Sequence, residues 1–180
     1  MKIHNAIYVS TLALLLTMPL AYADKDEHHY KHHRGYDVHL MPLNNSGVHA
    51  NVEIKLKGNR LTVSLEATGL EPGKPHPQHI HGHADTSIMA SCPGVEADSD
   101  GDGLVSVSEG APDYGPIIFP LTPFNLVDNE GNLEYELRVT VNPDDIQPIH
   151  KRAIVLHGMT VNGEYIPSLP VACGVIGIDD

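Results

Sequence analysis

Apolar and polar residues alternate in Val52-Glu53-Ile54-Lys55-Leu56, and the same alternation resumes in Leu61-Thr62-Val63-Ser64-Leu65. A period of two sends successive side chains to opposite faces, so each run predicts a strand with one face in a core and one in water. Followed along the chain, this pattern predicts strands over Tyr36 to Leu43, Val48 to Leu56, Arg60 to Ala67, His79 to His83, Leu133 to Val141, Ala153 to Met159 and Val171 to Ile178. Lys57-Gly58-Asn59 and Asp128-Asn129-Glu130-Gly131 read as turns, and Asn162-Gly163 as a tight hairpin. No window of a dozen residues carries a helical period. Short strands separated by Gly and Pro turns predict an all-β fold, an antiparallel Greek-key sandwich or barrel. Between Cys92 and Phe124 the alternation stops, and a long stretch rich in Gly, Pro and Asp follows. Loops of that length in a compact domain are usually functional or held in place by something other than a ladder.

The ends divide the 180 residues further. A short basic start at Lys2, a mostly apolar run from Ala6 to Leu20 and the small-x-small triplet Ala21-Tyr22-Ala23 predict a cleaved signal peptide over residues 1–23. The protein is therefore expected outside the cytoplasm, periplasmic or secreted. No later run approaches the roughly 20 apolar residues of a membrane span. Residues 24–35 have no apolar period and are expected to form a flexible tail in front of a single domain over 36–180. The tail carries His28, His29, His32 and His33, which serve either as an auxiliary metal-capturing group or as solubilising polar residues. Net charge is −12, which argues against nucleic acid and anionic membrane as partners. The only two cysteines, Cys92 and Cys173, are expected to pair in an exported chain.

Candidate chemistry begins at Gln78-His79-Ile80-His81-Gly82-His83. On a strand, His79, His81 and His83 share a face and Ile80 points to the opposite layer. Two imidazoles spaced i and i+2 on a rigid strand suit copper, zinc or nickel. His157, within the apolar run Ala153 to Met159, is the expected third ligand, with His83 or His76 as a fourth. The alternative is that these histidines are exposed polar positions on an edge strand.

A second motif lies inside the long loop. Residues 98–109 read Asp-Ser-Asp-Gly-Asp-Gly-Leu-Val-Ser-Val-Ser-Glu. Acidic residues fall at positions 1, 3 and 5 (Asp98, Asp100, Asp102), Gly103 at 6, the Leu104 carbonyl at 7, Ser106 at 9 and Glu109 at 12, which is the spacing of a twelve-residue calcium loop. Cys92-Pro93-Gly94 before it and Gly110-Ala111-Pro112 after it predict a lone loop with no helical pair.

Together, Gln78-His79-Ile80-His81-Gly82, the cysteine in the loop that follows, Val155-Leu156-His157 and the terminal Val171-Ala172-Cys173-Gly174-Val175-Ile176-Gly177-Ile178 resemble the exported copper/zinc superoxide dismutases. The resemblance covers most of 36–180. It implies a Greek-key sandwich, copper on His79, His81 and His157, and a Cys92–Cys173 bridge tying the long loop to the last strand. Three departures stand out. Residues 93–149 contain no histidine, so the family's zinc site and bridging histidine are missing and the acidic loop occupies their place in the chain. Pro170 stands where the family has its catalytic arginine, and only 15 residues separate His157 from Cys173, too few for the charged loop that guides superoxide. The resemblance thus implies a copper-dependent superoxide dismutase variant with lysine or arginine (Lys151, Arg152) as substitute charge. A non-catalytic copper-binding or delivery module, and a chordin-like structural or adhesive domain held by calcium and the disulfide, are the alternatives.

Overall fold

A computed structural model describes residues 35–177. The segments expected to be signal peptide and histidine-rich tail, with His28, His29, His32 and His33, lie outside the described residues.

Eight strands form one antiparallel sheet that curls into a half-barrel. They are β1 (Gly35–Pro42), β2 (His49–Lys57), β3 (Arg60–Thr68), β4 (Gln78–His81), β5 (Ile117–Pro120), β6 (Leu133–Thr140), β7 (Ala153–Val161) and β8 (Glu164–Val175). Their spatial order is β5-β4-β7-β8-β1-β2-β3-β6. β1 joins the two halves: Gly35 to Leu40 pair with β2, and Met41 and Pro42 pair with β8. The connections β3 to β4 and β6 to β7 each cross between halves, as a Greek key requires. The fold is all-β, as the alternation predicts.

The half formed by β1, β2, β3 and β6 is buried on one face. In β2, Ala50, Val52, Ile54 and Leu56 enter the core while His49, Asn51, Glu53, Lys55 and Lys57 stay in water. The β4-β7-β8 half is buried on both faces. Ile80, Ile154 and Leu156 join the main core, whereas Ala153, Val155 and Cys173 pack outward against Ala90, Tyr114 and Cys92 of the long loop. Two-sided burial explains why β7 reads as a continuous apolar run. The Cys92–Cys173 disulfide, with Cα atoms 5.7 Å apart, fastens the loop to this outer face.

Three elements differ from expectation. β4 ends at His81 rather than His83. β8 starts at Glu164, seven residues before the expected strand, although Pro167 and Pro170 lie within it. Its ladder with β7 jumps from His157–Pro170 to Met159–Ile166, so the prolines fall at or beside a bulge where a missing N–H costs least. The long loop also contains structure: β5, and helix α1 (Val107–Tyr114), which begins inside the acidic motif and takes in its last three residues. Ser106 caps α1 through a capping box with Glu109, and this reciprocal cap supports a helix that includes Gly110 and Pro112. A second helix, α2 (Pro143–Ile146), is a single turn. Among the described residues no helix is long and apolar enough to cross a membrane.

Candidate metal centres

His79 and His81 sit on the outward face of β4, with Ile80 fully buried on the other side, as strand alternation requires. Val155, opposite His79 on β7, is two residues before His157, so the same alternation brings His157 to this face. A donor atom from each of His79, His81 and His157 lies within 4.8 Å of the other two. Ring centroids are 5.1 Å apart for His79 and His157 and 5.7 Å for each pair that includes His81.

Backbone carbonyls set the orientation of two rings. His81 Nδ1 donates to Gly115 O at 3.0 Å, and His157 Nδ1 donates to Ser168 O at 2.8 Å. Those bonds fix the Nδ1–H tautomer and leave Nε2 bare in both rings. Among the described residues, three buried nitrogens, His79 Nδ1, His81 Nε2 and His157 Nε2, have no hydrogen-bond partner. Buried polar atoms are nearly always paired, so three unpartnered ring nitrogens in one cluster make these residues a group that could hold a metal ion. Burial holds all three rings neutral, the form that ligates. It lowers His157 to about 3 and His79 to about 4, with repulsion between the rings adding to both, and it lowers His81 as well.

Helix α1 supports this arrangement. Tyr114, fully buried, packs edge-on against His81 with centroids 4.7 Å apart and donates its hydroxyl to Val107 O. Burial raises that phenol to about 12, so it stays protonated. Gly115 ends α1 at φ 78°, and a Cβ there would collide with the Gly82 backbone, so only glycine lets the helix end close against β4. A cavity of about 340 Å³ opens over the three rings. Its other walls include Pro77, Val107, Ile117, Phe124 and Pro167, and Phe124 stands edge-on to His79.

The two expected fourth ligands are elsewhere. His83 lies past the end of β4, where Gly82 interrupts the alternation, and its ring hydrogen-bonds to Asp113 O. His76 is buried, but one nitrogen binds His157 O and the other meets the backbone of Glu71. It buttresses the His157 backbone from the far side. Neither expected substitute charge reaches the cavity. Arg152 is buried and donates to the carbonyls of Ile146, Gln147 and His83, and Lys151 donates to Thr86 O.

The acidic loop is built differently. Carboxylate oxygens of Asp98, Asp100 and Asp102 gather within 4.8 Å of one another. Backbone N–H groups of the same loop bind them: Gly101 and Gly103 donate to Asp98, Asp102 to Asp100, and Leu104 to Asp102. Glu109 stands apart from the three aspartates. Its two oxygens accept from Ser106 on one side and from Ser99 and Asp100 on the other, and the Ser106 and Ser99 bonds hold its carboxyl near 2. Ser106 is occupied as the cap of α1. As expected, no helical pair frames the loop, since only a three-residue 3-10 turn (Val95–Ala97) precedes it; the α-helix that follows was not expected.

Sequence reading did not single out Asn44. Its side-chain amide accepts from Val105 N and donates to Val105 O and to Pro170 O, clamping the loop to β8 opposite His157. The orienting carbonyls of Gly115 and Ser168 were equally invisible, because every residue carries one. Phe124 and Pro167 gave no signal as wall residues. No protein-family model and no curated protein matches this chain.

Proposed function

We propose that this chain is an exported copper-binding protein with a superoxide dismutase-like fold, holding copper on His79, His81 and His157. The observation that carries this reading is a cluster of three histidines with a donor atom of each within 4.8 Å of the others, each ring having a buried nitrogen without a partner among the described residues. Neutral imidazoles are borderline donors that suit copper, nickel and zinc, and copper(II) binds tightest in the divalent series. Copper bound there supplies one-electron chemistry. The protein's part is to fix the tautomers through Gly115 O and Ser168 O, exclude water with Tyr114, and leave one side open to the cavity.

Calcium is the ion proposed for residues 98–109, because the donors are hard oxygens at the spacing of a calcium loop. In that reading Asp98, Asp100, Asp102, the Leu104 carbonyl, Ser106 and Glu109 form the ligand set, and the carboxylates exchange present N–H bonds for the ion. The site is structural. It would order the loop that carries α1, as the missing zinc site does in the family. A disulfide across 81 residues fits an oxidising compartment outside the cytoplasm.

A second reading, dismutation of superoxide, needs an open position beside the metal, which the cavity over the rings leaves, although its apolar lining holds no cation to draw the superoxide anion in. Metal analysis of the purified mature protein, followed by a dismutation assay after copper loading, separates the possibilities. Copper bound without turnover supports a binding or delivery module, and turnover supports the enzyme. Copper content no higher than in a His79→Ala/His81→Ala variant would sink the copper reading and leave a calcium-stabilised structural domain.

A further inference from the structure

We infer that the open side of the histidine centre receives an uncharged ligand, a neutral nitrogen or sulfur donor on an apolar body, and discriminates against anions. This inference rests on the copper reading above and names the ligand class of that same site. Two independent features of the cavity carry it.

The first is the wall. Pro77, Val107, Ile117, Phe124 and Pro167 surround the rings, and Ser168, the remaining polar neighbour, spends its carbonyl on His157 Nδ1. An anion reaching the metal there loses its hydration shell and finds only the metal's own charge in return, with no second cation beside it, whereas a neutral apolar ligand gains by leaving water. At about 340 Å³ the cavity exceeds the roughly 150 Å³ in which a benzene-sized molecule can bind an apolar site.

The second feature is charge. Among the described residues, no lysine or arginine lines the cavity. The two cations nearest the ligands in sequence are committed elsewhere, Arg152 to three backbone carbonyls and Lys151 to Thr86 O. Val107, one wall of the cavity, is the first residue of α1 and the tenth position of the acidic loop, and the whole chain carries −12. Apart from a bound metal, the described lining thus offers an anion no fixed positive charge that would concentrate it. The apolar wall disfavours a hydrated ligand, and the want of a lining cation disfavours an anionic one further. A neutral donor satisfies both.

The test uses the full chain with one equivalent of copper, titrated separately with pyridine and with azide while the visible absorption and electron paramagnetic resonance of the metal are followed. Copper that remains on a His79→Ala/His81→Ala variant is the background. The expected pyridine-to-azide affinity ratio is about tenfold or more higher at the histidine centre than on the background copper. Ile117→Arg is chosen because Ile117 is 51% exposed, so the substitution puts a cation at the mouth without burying it. It should lower the ratio by about tenfold or more, mainly through tighter azide binding. A wild-type ratio equal to background, or a ratio unchanged by Ile117→Arg, overturns this inference while the copper reading stands. No copper signal beyond background overturns both.

Discussion

The histidine centre and the acidic loop present metal donors in opposite ways. In the first, the donors are what the fold leaves over: Gly115 O and Ser168 O take the Nδ1 hydrogens of His81 and His157, and three ring nitrogens remain without a partner among the described residues. In the second, the donors are already in use, because Asp98, Asp100, Asp102 and Glu109 fold the loop around themselves through its own N–H groups. A site of the first kind is rigid before its ion arrives and loses little ordering entropy on binding. A site of the second kind must trade bonds, so its affinity is tuned by what it gives up.

The contrast can be broken most forcefully at the rigid site. Replacing His79 and His81 with alanine removes two of three strand-mounted donors. Copper affinity should fall by far more than the roughly 10- to 100-fold loss typical of an outer-shell partner. Competition against a chromophoric chelator, with residues 24–34 deleted so that tail histidines cannot substitute, measures this. Tight binding that survives would place the site elsewhere.

At the exchanging site the effect should appear as stability. Calcium at 100 times its Kd adds about 2.7 kcal/mol by mass action, and Glu109→Ala should erase that gain while leaving the Cys92–Cys173 bond intact. Melting of wild type and variant, each with calcium and with chelator, provides the comparison; a wild-type curve indifferent to calcium refutes the site.

Asn44 joins the two regions, so Asn44→Asp sharpens the contrast. Aspartate keeps the acceptor for Val105 N and loses both donors, to Val105 O and Pro170 O. The expected cost is about 1–3 kcal/mol. Because the clamp does not depend on an ion, denaturant unfolding should register the loss with calcium or with chelator.

A further effect concerns protons. His157 near 3 and His79 near 4 stay neutral in the fold where the unfolded chain, near 6.5, takes up protons. Stability of the metal-free protein is therefore retained above pH 6.5 and declines as pH falls from 6.5 towards 3. Copper uptake by the folded protein, in contrast, should hardly change between pH 7 and 5, since these donors are already bare. A steep loss of affinity over that interval would show that the rings titrate like exposed imidazoles.

What could be read from the sequence follows from where water lies. β2 and β3 alternate because one face is wet, and the same rule put His79 and His81 on one side and Ile80 on the other. His157 was recognisable as a polar interruption in an apolar strand. β5 was missed because Ile117-Ile118-Phe119-Pro120 is too short to alternate, and the start of β8 because Pro167 and Pro170 read as breakers. Helix α1 was hidden by an ambiguity, since Ser106 and Glu109 are positions 9 and 12 of a calcium loop and also the two halves of a capping box. The failure of His83 as a ligand has a local cause: the strand ends one residue before Gly82.

The histidine centre also keeps time. His79 and His81 leave the synthesis machinery together, but the partner carbonyl that aims His81 lies 34 residues further on, and His157 arrives with a strand that must first insert between β4 and β8. Its own aiming carbonyl follows 11 residues later, across the β7–β8 hairpin. A partial chain that lacks β8 lacks the carbonyl that aims His157, so the optical signature of copper on these rings would appear only after the last hairpin has docked, making the ion a reporter of that non-local step.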